Sequence, residues 1–141
     1  MVHTTLSVCT RGPGLIEITD DIVGWVGKQA VENGLFTLFV WHTSSSLTIQ
    51  ENADPDVQAD LLAFFQRIVP EGAGYIHDAE GPDDMPAHIK SALTQTSLSI
   101  PLIDGRLTLG TWQGIYLFEH RAHPHHRQVI VHLIGTSETR P

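Results

Sequence analysis

The stretch LFTLFVW, residues 35–41, constrains the fold more than any other part of the chain. Only Thr37 interrupts a run of large apolar residues, most of them of the type that favours strands. A strand with one solvated face alternates apolar and polar residues, so this run predicts a strand covered on both faces. It leads directly into His42-Thr43-Ser44-Ser45-Ser46, polar residues delivered at the end of a rigid element.

The rest of the chain supplies partners for such a strand. Val2, Thr4, Leu6 and Val8 alternate with polar neighbours and read as a half-buried strand ending at Arg11-Gly12-Pro13-Gly14. Residues 15–18 suggest a second strand. Asp20 is placed to cap a helix with Ile22, Val23, Val26 and Ala30 on one face, and Asn33-Gly34 to stop it. Asp54-Pro55 opens the clearest helix, with Val57, Leu61, Phe64, Phe65 and Ile68 forming one stripe before Pro70. Pro86 marks the start of a short helix over residues 86–94. Asp104-Gly105 lies between two strand-like runs, residues 98–103 and 106–111, which is a strong hairpin signal. Residues 115–121 and 128–134 are apolar on both faces and predict two more buried strands. The expectation is an α+β fold: a single domain over residues 1–141 with a compact antiparallel β-sandwich-like core and two or three helices.

Composition narrows the class further. At 141 residues with 41% hydrophobic and 17% charged, the chain can bury one core and is no disordered segment. So little charge on a small domain points to a surface partly covered by other subunits. A formal charge of −8 excludes the basic face of a general nucleic-acid binder. Cys9 is the only cysteine, so no intramolecular disulfide forms. The first ten residues have no signal-peptide pattern, and no run reaches the roughly 18 apolar residues of a membrane span. A cytoplasmic protein without membrane contact is the economical expectation.

Histidine is the outlier, nine residues against eight Lys plus Arg. Two constellations hold most of the chemistry. In YIHDAEGPDDMPAHIK, residues 75–90, His77 and His88 enclose Asp78, Glu80, Asp83 and Asp84. Four like charges that close repel unless a cation sits among them. Imidazoles suit zinc, nickel or iron, and His77, His88 and His120 would leave a coordination position open. Asp84, four residues before His88, is placed to orient that ring. The plain alternative is a solvated acidic loop capping a helix. The second constellation, GTWQGIYLFEHRAHPHHRQV over residues 110–129, gathers Arg121 and Arg127 with His123, His125 and His126. Guanidinium forks match phosphate oxygens, while Pro124 fits an ordinary polar turn. Together the two describe a pocket for a small phosphorylated molecule with a metal at one end. Walker A, GxGxxG, HExxH and CxxC patterns are all missing.

Four long segments carry a family resemblance: HTSSSLTIQENADPDV, EGPDDMPAHIKSAL, IPLIDGRLTLGTWQGIYLFEHR and VIVHLIG. In this order they resemble the YjbQ family, also called the secondary thiamine-phosphate synthase family. The resemblance implies a homotrimer with a histidine-lined metal or anion site near the subunit interface. It places that site on His42, His77, His88, His120 and Arg121 with Glu80, Asp83 and Asp84, and leaves His126 outside. It implies a divalent metal ion, zinc first among the candidates. The implied reaction is a metal-assisted transfer joining a hydroxymethylpyrimidine diphosphate to a thiazole phosphate with release of pyrophosphate. The alternatives are a metal-dependent hydrolase of a small phosphorylated molecule, with Glu80 or Asp83 as base, and a non-enzymatic trimer that binds a metal or small molecule.

Overall fold

The computed structural model describes residues 1–137. In chain order the elements are β1 (Val2–Thr10), β2 (Gly14–Glu17), α1 (Thr19–Gly27), β3 (Asn33–Val40), β4 (Ser45–Glu51), α2 (Pro55–Ile68), α3 (Asp84–Leu93), β5 (Ser97–Ile103), β6 (Arg106–Leu107), β7 (Gln113–Glu119) and β8 (His125–Thr136). Five strands form one sheet in the order β1-β8-β3-β5-β6, and three form a second in the order β2-β7-β4. Every pairing is antiparallel.

The sheets face each other across one apolar core. Phe36, Leu38 and Val40 of β3, with Val129, Val131 and Leu133 of β8, point inward from the large sheet. Leu47, Ile115 and Leu117 meet them from the small sheet, and Ile22 and Val26 of α1 close one end. The sandwich-like α+β architecture with three helices is the expected one. On the far side of the small sheet, α2 lays Phe65 edge-on against Phe118 at 5.3 Å, and Gln58 donates to the Tyr116 hydroxyl at 3.0 Å. β7 is therefore buried on both faces, as its composition implies.

Other elements differ from expectation for identifiable reasons. β3 buries alternate residues only: Phe39 is 43% exposed and Trp41, just after the strand, 68%, so among the described residues one face of the large sheet has no covering layer. β8 likewise leaves Ile134 open on that face. Helix α1 ends at Gly27, before Ala30, and Asn33-Gly34 begins β3 instead of stopping a helix. Gly34 is needed there because the β8 backbone runs so close that a Cβ would lie 2.1 Å from the Ile134 carbonyl oxygen. β4 runs through the serine-rich stretch after His42, a strand that apolar patterning does not reveal. Asp104 and Gly105 both take positive φ, 51° and 77°, as a two-residue primed hairpin turn requires, but β6 is only two residues long. Helix α3 starts at Asp84, which leaves Pro86 in its first turn, where no intrahelical N–H bond is lost.

Candidate metal centre

Helix α3 presents Asp84 and His88 on one face, because residues four apart stand one above the other. The His88 ring is fixed from outside the helix: its Nδ1 lies 3.0 Å from the carbonyl oxygen of Thr43, in the β3–β4 connection. A carbonyl only accepts, so Nδ1 carries a proton and Nε2 is the ring atom turned toward Asp84. It lies 3.2 Å from Oδ2 of Asp84. A proton or a metal ion has to lie between that nitrogen and the carboxylate. The same Oδ2 lies 2.6 Å from Nε2 of His77, on the loop before α3. His77, Asp84 and His88 thus converge, with ligand atoms all within 4.8 Å of one another.

Asp84 is only 2% exposed and has to be compensated. Burial by itself would raise its carboxyl, yet the hydrogen bond from His77 and the charges of His88 and Arg121 hold it below the usual range. Arg121 supplies the fixed part of that compensation. Its three nitrogens donate to Asp83 Oδ2 at 2.9 Å, to Asp84 Oδ1 at 2.7 Å and to the Glu80 carbonyl at 3.0 Å. Asp83 Oδ2 also accepts the Ala122 amide at 2.8 Å. Burial raises the Asp83 carboxyl, and the Ala122 amide with Arg121 more than reverses this. One of the cations required by the acidic loop is therefore the protein's own arginine.

The donor set fits a divalent transition metal. Two imidazoles and a carboxylate are zinc ligands, and the carbonyl behind His88 is the outer partner that a ligating histidine usually has. A tetrahedral ion needs donor atoms roughly 3.3 Å apart, so His77, half-exposed on its loop, is the ring that would step back. Three protein ligands leave one position for water or substrate.

The remaining expected residues separate into three groups. His42 lines a cleft of about 450 Å³ that it shares with Phe39, Trp41, Thr43, His88 and Ser91. Its Nδ1 accepts the Ser44 amide at 3.1 Å, which leaves Nε2–H as a donor, and burial followed by the charge of Arg127 lowers its pKa. Glu80 stands at the open rim, its carboxylate 3.9 Å from His77 Nε2. His120 does not join the cluster. The alternation of β7 sends it under the helices with Tyr116 and Phe118, where it is 3% exposed and its Nε2 meets Ser46 Oγ at 2.9 Å. Burial and then the charge of Lys90 push its pKa down to about 3. Asp84, expected to orient His88 and to belong to the catalytic set, stands in the cluster where His120 was expected.

Neither arginine is open to a phosphate. Arg121 is committed to the acidic loop, and Arg127 is buried in the core against Glu119. The Thr43 carbonyl was not among the expected site residues. The only sequence signal for it is its place at the end of the apolar strand.

The chain is thus a small two-sheet α+β sandwich with a histidine–carboxylate cluster at the start of one helix. The pattern of the family described as UPF0047 protein YjbQ-like matches residues 4–136, and the chain belongs to that family. It is 56% identical over 131 residues to the UPF0047 protein sll1880 of Synechocystis, covering 92% of this chain and 89% of the relative. It is 52% identical over 133 residues to the UPF0047 protein YjbQ of Salmonella typhimurium, covering 93% and 94%. A YjbQ/UPF0047 family crystal structure from Clostridium acetobutylicum superposes with TM-score 0.83 at 36% identity over 95% of this chain and 100% of that one. The Aeropyrum pernix protein APE1520 superposes with TM-score 0.88 at 27% identity, over 96% and 100%.

Proposed function

We propose that the chain is a metal-dependent enzyme acting on a small phosphorylated molecule, with His77, Asp84 and His88 holding a divalent ion, zinc first. The observation that carries this reading is the convergence of His77, Asp84 and His88, whose ligand atoms lie within 4.8 Å of one another on a fixed ring and a buried carboxylate. Such an ion supplies a Lewis acid and lowers the pKa of water toward neutrality. The chain's own residues support hydrolysis best. Glu80 stands exposed at the rim beside His77, whereas Asp83 is occupied by Arg121 and Ala122, so Glu80 is the carboxylate placed to serve as base. His42 offers its Nε2–H to a substrate oxygen from the cleft beside His88.

The transferase expected from the resemblance is the second reading. Its support is the same cleft, whose Phe39 and Trp41 form a wall on which a heterocycle can stack. It lacks the arginine clamp that a leaving diphosphate was expected to have. Incubating zinc-loaded protein with hydroxymethylpyrimidine diphosphate and thiazole phosphate separates the readings. Release of inorganic phosphate or pyrophosphate without a joined product supports hydrolysis; thiamine phosphate formed in step with pyrophosphate supports transfer. If neither product forms with any phosphate ester tried, the third expectation, a metal- or small-molecule-binding protein, takes their place.

We also infer a homotrimer in the cytoplasm. Leu35, Phe39, Ile103 and Ile134 lie exposed on the outer face of the large sheet, with Leu35 paired in register to Pro101 and Ile134. A contiguous apolar face of this kind marks an interface. Copies of the chain covering it would complete the two-sided burial that residues 35–41 require.

A further inference from the structure

In the β3–β4 connection the His42 ring is fixed on one side and open on the other. The Ser44 amide donates to Nδ1 at 3.1 Å, and the Ser44 hydroxyl oxygen lies 3.0 Å from the same nitrogen. A terminal nitrogen of Arg127 donates to that hydroxyl oxygen at 3.1 Å. Ser44 Oγ therefore accepts from the guanidinium and turns its own proton toward Nδ1. A ring nitrogen that accepts from an amide and a hydroxyl carries no proton, so the neutral ring has its proton on Nε2. Among the described residues Nε2 meets no acceptor, and His42 is exposed on the cleft that it shares with His88.

The support behind this exposed ring is buried. Ser44 is 1% and Arg127 2% exposed, and Glu119 holds Arg127 from behind. The amide of buried Ser44 needs an acceptor, and Nδ1 serves it; the hydroxyl and the guanidinium come in addition. Together they exclude a proton from Nδ1. Burial and the charge of Arg127 also disfavour the imidazolium. A neutral imidazole N–H aimed into a site donates to an oxygen that carries or gains negative charge, and it offers no lone pair there to act as base.

We propose that Ser44 and Arg127 are positioning residues, which hold His42 in its Nε2–H form facing the cleft, as a donor to a ligand oxygen and not as a base. The ligand class that fits places an anionic oxygen, such as a phosphoryl oxygen, beside His42. The donor role rests on the reading of this cleft as the substrate site; the tautomer and its support do not. Arg127, expected to grip a phosphate directly, acts instead through Ser44 and His42.

Long-range proton–nitrogen correlation spectra of the histidine rings at neutral pH test the positioning, with His42→Gln identifying the His42 signals. His42 is expected with Nδ1 unprotonated and Nε2 protonated. Ser44→Ala removes one donor, so the Nδ1 resonance should move downfield, toward that of a lone pair with fewer hydrogen bonds. Ser44→Thr keeps the hydroxyl and should keep the parent signal. Arg127→Met combined with Glu119→Leu should move the resonance in the same direction as Ser44→Ala. A protonated Nδ1 in the parent, or an unmoved signal in folded Ser44→Ala, overturns the proposal.

Titration of phenyl phosphate into the zinc-loaded protein tests the donor role. His42→Leu removes the N–H and should weaken binding about tenfold or more, the loss of one hydrogen bond to a charged group. His42→Gln keeps an N–H and should retain most of the affinity. Equal affinity in folded His42→Leu overturns the donor role; should that variant not fold, parent-like affinity in folded Ser44→Ala overturns it instead. A parent that does not bind phenyl phosphate removes the substrate reading of the cleft and the donor role with it, while the spectra still decide the positioning.

Discussion

Arg127 and Glu119 meet as a two-pronged ion pair inside the protein, Nε to Oε1 at 2.7 Å and a terminal nitrogen to Oε2 at 2.6 Å. The pair joins β8 of the large sheet to β7 of the small one, at the end of the core nearest the His42 turn. Thr10 donates to the same carboxylate at 2.6 Å, and Ser44 Oγ accepts from Arg127 at 3.1 Å. Burial alone would raise the Glu119 carboxyl; Arg127, Thr10 and the Arg121 amide more than offset it and hold it low.

Removing one partner leaves the other charged and buried. Arg127→Met should therefore cost about 3–5 kcal/mol in urea unfolding. Glu119→Leu with Arg127→Met together should recover much of that loss, because no lone charge remains. A loss below about 1 kcal/mol for the single change contradicts the assigned role.

Arg121 should behave as the anchor of the acidic loop. Arg121→Ala removes charge-assisted bonds to Asp83 and Asp84, and a loss of about 2–3 kcal/mol in stability is expected, with weaker zinc binding beside it. Arg121→Lys should restore little, because one ammonium cannot reach both carboxylates and the Glu80 carbonyl in the same plane. Full stability in Arg121→Ala with a selective loss of phosphate binding would return this residue to the role that sequence alone gave it.

His120 makes stability depend on pH with a defined sign. The unfolded ring takes a proton near pH 6.5, the folded one only near 3, so the unfolded state binds more protons between those values. The contribution of the neutral buried ring is complete above about pH 6.5 and is lost as pH falls toward 3. One such proton gives a slope of about 1.4 kcal/mol per pH unit. Urea unfolding at several pH values between 4 and 6 should show His120→Gln with a shallower slope than the parent by about that amount. Identical slopes rule out a buried neutral ring.

The outer face of β3 should mediate assembly. Phe39→Lys changes a side chain that points away from the core, so the protein should still fold, but light scattering should then report the 15.5 kDa chain. The parent should scatter as three chains. A monomeric parent at micromolar concentration removes the interface.

Most of the fold was legible because it rests on periodicity. Alternation exposed β1, the stripe from Val57 to Ile68 exposed α2, and Asp104-Gly105 exposed the hairpin. Residues 35–41 gave the strand but not its covering, since an apolar face reads alike whether a helix or another subunit lies on it. β4 was hidden because Ser44, Ser45 and Ser46 are buried while looking polar. The acidic loop was legible as a place that needs positive charge, part of which Arg121 supplies, and His77, Asp84 and His88 were all among its expected residues. Their grouping was not. Sequence shows charges without their partners, so Arg121 and Arg127 read as phosphate forks until Asp83, Asp84 and Glu119 are seen to occupy them. His120 read as a ligand because nothing in the sequence fixes which face of β7 the helices cover.

The most direct test of the account is elemental analysis and zinc titration of the purified protein beside His88→Ala and Asp84→Asn. The account predicts close to one zinc per chain in the reconstituted parent and a loss of about tenfold or more in affinity in both variants, with their folds retained by circular dichroism. A parent that binds no zinc after reconstitution, or variants that bind it as tightly as the parent, would contradict the metal centre at His77, Asp84 and His88.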